Sequence, residues 1–176
     1  WSFFIPHKDD LITTLKDFFR SIQKTDNLKI DYLRCDNAPE HKVLQRKCDK
    51  TTDLNITFEY TAPATPQQNG RIERKFATLS GKTRAMLNAA KFSWEMRRKM
   101  WAYCAELITK LDNILIHKDF QQSPFDLWHG YTPSWLEDLH PFGSMAIIKR
   151  NKAIKSKLTN RGFPAIYLGP ADHHSL

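Results

Sequence analysis

Cysteine, long apolar runs and acidic side chains are all scarce in this chain, and each scarcity excludes a class of protein. Only Cys35, Cys48 and Cys104 are present. An odd number at unrelated spacings argues against a disulfide framework and against a zinc site. Pairing His41 with Cys48, or taking His173 with His174, does not supply four-ligand spacing either. No apolar run approaches the ~20 residues a membrane span needs, and nothing resembles a secretory leader. The expectation is a soluble, intracellular chain with no membrane partner. Acidic residues number 19 against 27 Lys and Arg, which gives a formal charge of +8 and a pI near 9.4. Such an imbalance points to an acidic partner.

The excess charge is localised. Arg71 to Lys99 holds nine basic and two acidic residues, and Lys149 to Arg161 holds six basic and none acidic. Lys and Arg facing phosphates supply most of the sequence-independent affinity for nucleic acid, so these stretches read as polyanion-binding faces. At 176 residues, 41% of them hydrophobic, the chain is long enough for one domain with a real core, or for one domain with an appendage.

Read in order, Trp1 to Ile5 is a short apolar strand closed by Pro6. Asp10 to Gln23 is a helix burying Leu11, Leu15, Phe18, Phe19 and Ile22, with Asp9 and Asp10 as charges at its start. Lys29 to Cys35 is a strand that meets a turn at Asp36, and Glu40 to Lys50 is a polar helix. Asn55 to Tyr60 alternates as a second strand. Thr61 to Asn69 reads as a loop with Pro63 and Pro66, although a helix starting with Pro66 at its first position competes with that reading. In the loop reading Asn69 caps a helix and Glu73 falls in its first turn, where the helix dipole favours a negative charge. Ile72, Phe76, Leu79, Thr83 and Met86 then form its buried stripe.

Ser93 caps a second long helix, in which Trp94, Trp101, Ile108 and Leu115 recur every seven residues with Cys104 and Leu111 between them. This is a seam for the core or for another subunit. Ser123-Pro124-Phe125-Asp126 is an N-cap, a proline at the first position and an acidic third position, opening a short helix that stops at Gly130. His117 and His129, flanking it, read as surface or packing residues. Met145 to Ile148 and Ala165 to Leu168 are short β-type runs separated by the basic stretch NKAIKSKLTNRGF. Two strands alone are marginal, so the tail is expected to be poorly ordered or to dock on the core.

Asp36 at a strand end and Glu73 at the start of a helix form a pair of hard-oxygen donors on rigid backbone, a pattern suited to a divalent cation. Alone, each has an ordinary structural explanation as a turn residue and a helix-end charge. The strings LRCDNAPE, TPQQNGRIERK, SPFDLWHGYTP and LHPFGSMA resemble the core of copia-type long-terminal-repeat retrotransposon integrases, whose corresponding runs read roughly LRSDNGGEF, TPQQNGVAERK, TPYELWxGxxP and LRxFGCxA. Four motifs follow one another in the family's order over nearly the whole chain. Cys35 for Ser, Ala38-Pro39 for Gly-Gly and Arg71-Ile72 for Val-Ala are departures.

The resemblance implies an α/β fold with a ribonuclease H-like mixed sheet flanked by helices. It implies a catalytic core over 1–139 that lacks the first strands, and the start of a small β-barrel over 140–176. It also implies metal-dependent DNA 3′-end processing and strand transfer, using Mg²⁺ or Mn²⁺ as two ions in the complete family site. Asp36 matches the second aspartate of the family's three carboxylates and Glu73 the glutamate. The first aspartate has no match, so the chain is expected to be truncated at its front and inactive alone. Gln68, Asn69, Arg71, Arg74, Lys75 and Lys82 are the expected DNA-backbone contacts. The implied partners are DNA and further copies of the chain, and the implied location is the nucleus. A decayed or domesticated nucleic-acid-binding module without catalysis remains the alternative.

Overall fold

The structure is a computed structural model that describes residues 1–50, 54–62, 66–116, 118, 120–150 and 160–171, with the side chains of 66–69 left aside. The fold is mixed α and β, and no helix among the described residues is long and apolar enough to cross a membrane. The chain divides into two compact units, one spanning Phe3–Phe76 and the other Ala77–Leu176 with Trp1–Ser2.

In the Phe3–Phe76 unit, apolar residues three and four apart put one face of α1 (Asp10–Thr25) against the core, burying Phe19 and Ile22. Asp10 reaches back over its own start, where its Oδ2 accepts the His7 N–H at 3.2 Å. β1 (Tyr32–Cys35) and β2 (Thr57–Tyr60) pair in parallel, Leu33 opposite Phe58 and Arg34 opposite Glu59. Parallel strands require a crossover, and α2 (Pro39–Asp49) supplies it. Phe19, Leu44, Cys48, Leu54 and Ile56 form the core, with Ile30, Leu33 and Phe58 packed at its edge. On the outer face the Arg34 guanidinium donates to Glu59 at 2.8 and 3.0 Å, an exposed pair worth little on its own.

Three expectations fail here. Trp1 to Ile5 is irregular rather than a strand. It joins neither of the two described sheets, and Phe3 sets its ring edge-on to Phe18 at 5.0 Å. The second concerns α3 (Pro66–Ala89), which starts at Pro66 and not at Asn69. Proline at a first helical position costs nothing, and an interior glycine such as Gly70 costs only about 1 kcal/mol, less than the surrounding helix formers return. Glu73 is therefore about two turns into the helix, beyond the reach of the terminal dipole. Finally, Ile72 and Phe76 are 53% and 65% exposed, because periodicity selects a face but burial needs a neighbour to cover it.

In the second unit, α4 (Trp94–Ile114) is capped by Ser93, whose hydroxyl accepts the Met96 N–H at 3.3 Å. Leu87, Cys104, Leu107, Ile108 and Phe142 form the core there, with Leu79, Met86 and Leu111 partly buried against them. Cys104 donates to the Thr83 carbonyl at 3.7 Å, and burial pushes its thiol up to about 11. Only the middle of the expected seven-residue seam is buried: Cys104 and Ile108 enter the core and Leu111 is partly covered, whereas Trp94, Trp101 and Leu115 are exposed. A straight helix drifts about 20° for every seven residues, so positions seven apart walk off the packed face.

α5 (Pro124–His129) has the predicted start and stop. Ser123 Oγ accepts the Asp126 N–H at 3.0 Å, Asp126 reaches back to the Ser123 N–H, and Gly130 ends the helix at φ 75°. β3 (Met145–Lys149) and β4 (Gly162–Ile166) form an antiparallel ribbon. The residues that flank it dock, as one of the two sequence expectations had it for the tail: Phe142 and Leu168 enter the second core and Lys110 Nζ donates to the Pro170 carbonyl at 3.2 Å, whereas every residue of β3 is exposed. Gly143, at φ 83°, passes so close to Ala90 and Phe92 that a Cβ would lie 2.7 Å from the Ala90 methyl. Most of the basic run between the two strands lies outside the described residues.

Candidate metal and nucleic-acid site

Asp36 follows β1 directly, where the chain turns into α2. Its Oδ1 accepts the Ala38 N–H at 3.1 Å, a side-chain-closed turn of the kind aspartate favours. Pro39 then starts α2, where its missing N–H costs nothing. One turn further on, His41 Nδ1 lies 2.7 Å from Asp36 Oδ1 and 3.2 Å from the Asp36 carbonyl. Both acceptors are oxygens, so the contact requires a proton on Nδ1, which leaves Nε2 directed elsewhere. Asn37 Nδ2 donates to the Thr61 carbonyl at 2.6 Å and ties the ends of the two strands together. The Tyr60 hydroxyl donates to Gln45 Oε1 at 2.8 Å, anchoring α2 over the sheet. Burial, and then the adjacent Asp36 carboxylate, push the Cys35 thiol above its ordinary range. That favours the neutral thiol over a thiolate ligand.

The result is a carboxylate held at one oxygen and half exposed, its side chain 52% accessible against 24% for His41. Sequence reasoning missed this contact because it weighed His41 only with Cys48, whereas the partner lies five residues back across the turn. The signal was present: in the motif alignment His41 stands where the integrase run has phenylalanine.

Glu73 has different surroundings. It is exposed, between the exposed Ile72 and Phe76, and its side chain makes no hydrogen bond or ion pair among the described residues. No hydrogen bond or ion pair joins it to Asp36, and the described residues contain no group of three or more metal-ligating side chains. Asp36 and Glu73 have the right chemistry for one hard cation, but three donors are not assembled.

Of the expected DNA contacts, Arg71, Arg74 and Lys75 are exposed along α3, and Arg74 Nε donates to the Gly70 carbonyl at 3.1 Å. Lys82 is ion-paired with Asp112. Gln68 and Asn69 belong to the first turn of α3, and their side chains lie outside the described residues, as do His117, His173 and His174. His129 is a packing residue, its ring 4.2 Å from Phe125 and 5.7 Å from Tyr131.

No family model matches the chain. In sequence it is 26% identical, over 178 aligned positions covering 98% of its length, to the retrovirus-related Pol polyprotein from transposon TNT 1-94 of Nicotiana tabacum, and it spans 13% of that polyprotein. Among solved structures, 92% of the chain overlays 54% of a chain in a cryo-EM structure of the simian T-cell lymphotropic virus intasome in complex with PP2A regulatory subunit B56 gamma, at 18% identity and a TM-score of 0.47. The chain is thus similar over nearly its whole length to a segment of a retroelement Pol polyprotein.

Proposed function

We propose, taking that similarity to a retroelement Pol polyprotein as the premise, that this chain is part of an integrase core of the copia type and acts in DNA integration. The supporting observation is Asp36 itself, in the motif LRCDNAPE, placed at a strand end with its carboxylate oriented by the Ala38 amide and His41. The parallel strand pair with its helical crossover is compatible with a ribonuclease H-like sheet, and the β3–β4 ribbon with the opening of a small barrel.

Asp36 and Glu73 would hold Mg²⁺ or Mn²⁺, which when bound offsets the charge that builds on the attacking and leaving oxygens of a phosphodiester. The remaining roles belong to side chains of the chain. His41 keeps one Asp36 oxygen turned inward, so that the other is presented outward. Arg71, Arg74 and Lys75 neutralise backbone phosphates, while Gln68 and Asn69 fix register by hydrogen bonds. Lys82 contributes only if it leaves Asp112. DNA is the principal partner, self-association a further one, and the nucleus the site of action. With two donors in place of three, the 176 residues alone lack strand-transfer activity.

A second reading, a nucleic-acid-binding module without catalysis, is favoured by the lack of a group of three metal-ligating side chains among the described residues. Strand-transfer and DNA-binding assays separate the two. In the longer polyprotein, Asp36→Asn or Glu73→Gln is expected to lower strand transfer by about two to three orders of magnitude or more while DNA binding persists. Full activity after Glu73→Gln removes that residue from the site. DNA binding unchanged by chelator, with no activity in any context, supports the binding module.

A further inference from the structure

The second unit contains a pocket that the integrase reading does not use. Four aromatic side chains, Phe125, His129, Tyr131 and Trp135, line a cavity of about 290 Å³ together with Pro133 and Pro170. Phe125 and Tyr131 stand nearly at right angles, with ring planes at 83° and centroids 5.7 Å apart. His129 closes the corner, 4.2 Å from Phe125 and 5.7 Å from Tyr131. The capping box of α5 and the left-handed turn at Gly130 set these rings at fixed angles, because they carry the chain from Phe125 round to Tyr131.

The segment that supplies six of the pocket's eight lining residues is acidic, although Lys110 reaches the Pro170 carbonyl at the other wall. Between Asp119 and Ile148 there are four acidic residues and no lysine or arginine, in a chain of net charge +8. Asp126 sits next to Phe125 in sequence, and its hydrogen bond from the Ser123 hydroxyl holds its carboxyl below the usual range, so it stays ionised. Glu137 and Asp138 are exposed on the turn that follows Trp135. Aromatic ring faces carry negative potential and attract cations, most strongly organic ammonium groups that shed water easily.

We propose that this pocket binds a methylated lysine side chain presented by a basic peptide. A trimethylammonium head is tetrahedral and can meet faces at right angles, while the exposed Glu137 and Asp138, just beyond Trp135, attract neighbouring cationic residues of the peptide. A flat nucleobase fits worse, since it can lie parallel to only one of two orthogonal rings. At about 290 Å³ the cavity is at the lower limit of small-molecule sites, a size suited to a side-chain head. The inference does not depend on Asp36, Glu73 or integrase activity.

The test is calorimetric titration of the whole chain with three probes: a basic peptide carrying one trimethyl-lysine, the same peptide with the uncharged tert-butyl isostere, and tetramethylammonium chloride. The methylated peptide is expected to bind about tenfold more tightly than the isostere, which has the same shape without the charge. It should also bind more tightly than tetramethylammonium, which lacks the flanking cations. Tyr131 is 60% exposed, so replacing it does not threaten the fold. Tyr131→Ala should lower affinity about fivefold and Tyr131→Phe leave it within about twofold. Equal affinity for peptide and isostere, equal affinity for peptide and tetramethylammonium, or no effect of Tyr131→Ala would each overturn the proposal.

Discussion

The turn that carries Asp36 and the stretch of α3 that carries Glu73 place the same functional group in opposite surroundings. Asp36 has one oxygen fixed by a backbone amide and an imidazole, and α2 behind it buries Leu44 and Cys48 completely. Glu73 projects from a helical surface where even Ile72 and Phe76 are bare. One carboxylate has given up its conformational freedom on folding. The other still has up to about 1.5–2 kcal/mol of side-chain entropy to lose before it can hold a ligand. Binding at any shared site is therefore limited by the α3 side.

The largest effect that sharpens this contrast lies under Asp36. Leu44→Ala should cost about 2–5 kcal/mol in denaturant unfolding, because Leu44 is fully buried and its removal leaves a cavity beneath α2. Next comes the cap of α5, remote from both carboxylates. Ser123→Ala should cost about 1 kcal/mol. Asp126 there has a lowered folded pKa, so its contribution is complete above the unfolded value of ~3.9 and is lost as pH falls through the lower folded one. Thermal melts of the wild type should show that loss below about pH 4, and Ser123→Ala should reduce it.

His41→Phe restores the phenylalanine of the integrase motif. It should cost about 0.5–1 kcal/mol, discounted because the pair is partly exposed. It should also leave the Asp36 carboxylate held by the Ala38 amide alone, visible as more strongly averaged side-chain couplings in NMR. The smallest effect belongs to the bare side of the comparison. Ile72→Ser and Phe76→Ser should each change stability by less than about 0.5 kcal/mol. A large loss there would mean that the surface is covered after all.

Much of this was legible in the sequence wherever the cause is local. The α5 capping box, the Ser93 cap and the strand ending before Asp36 each follow from a few adjacent residues. Where neighbours decide, the reading failed. Ile72, Phe76, Trp94 and Trp101 have the right periodicity for a buried stripe, but nothing in a repeat says how far the covering element extends. Trp1 to Ile5 has strand composition but takes an irregular path. The start of α3 turned on a glycine whose cost is small beside a whole helix. The His41 contact spans a turn and the first residues of a helix, a separation to which neither strand nor helix periodicity is sensitive.

The most direct test of the central claim, that Asp36 and Glu73 serve one cation, is paramagnetic broadening of the NMR spectrum during a Mn²⁺ titration. Resonances near Asp36 and near Glu73 should broaden together at the same Mn²⁺ concentration, and Glu73→Gln should abolish both sets of changes. Broadening confined to the Asp36 turn, unchanged by Glu73→Gln, would contradict it.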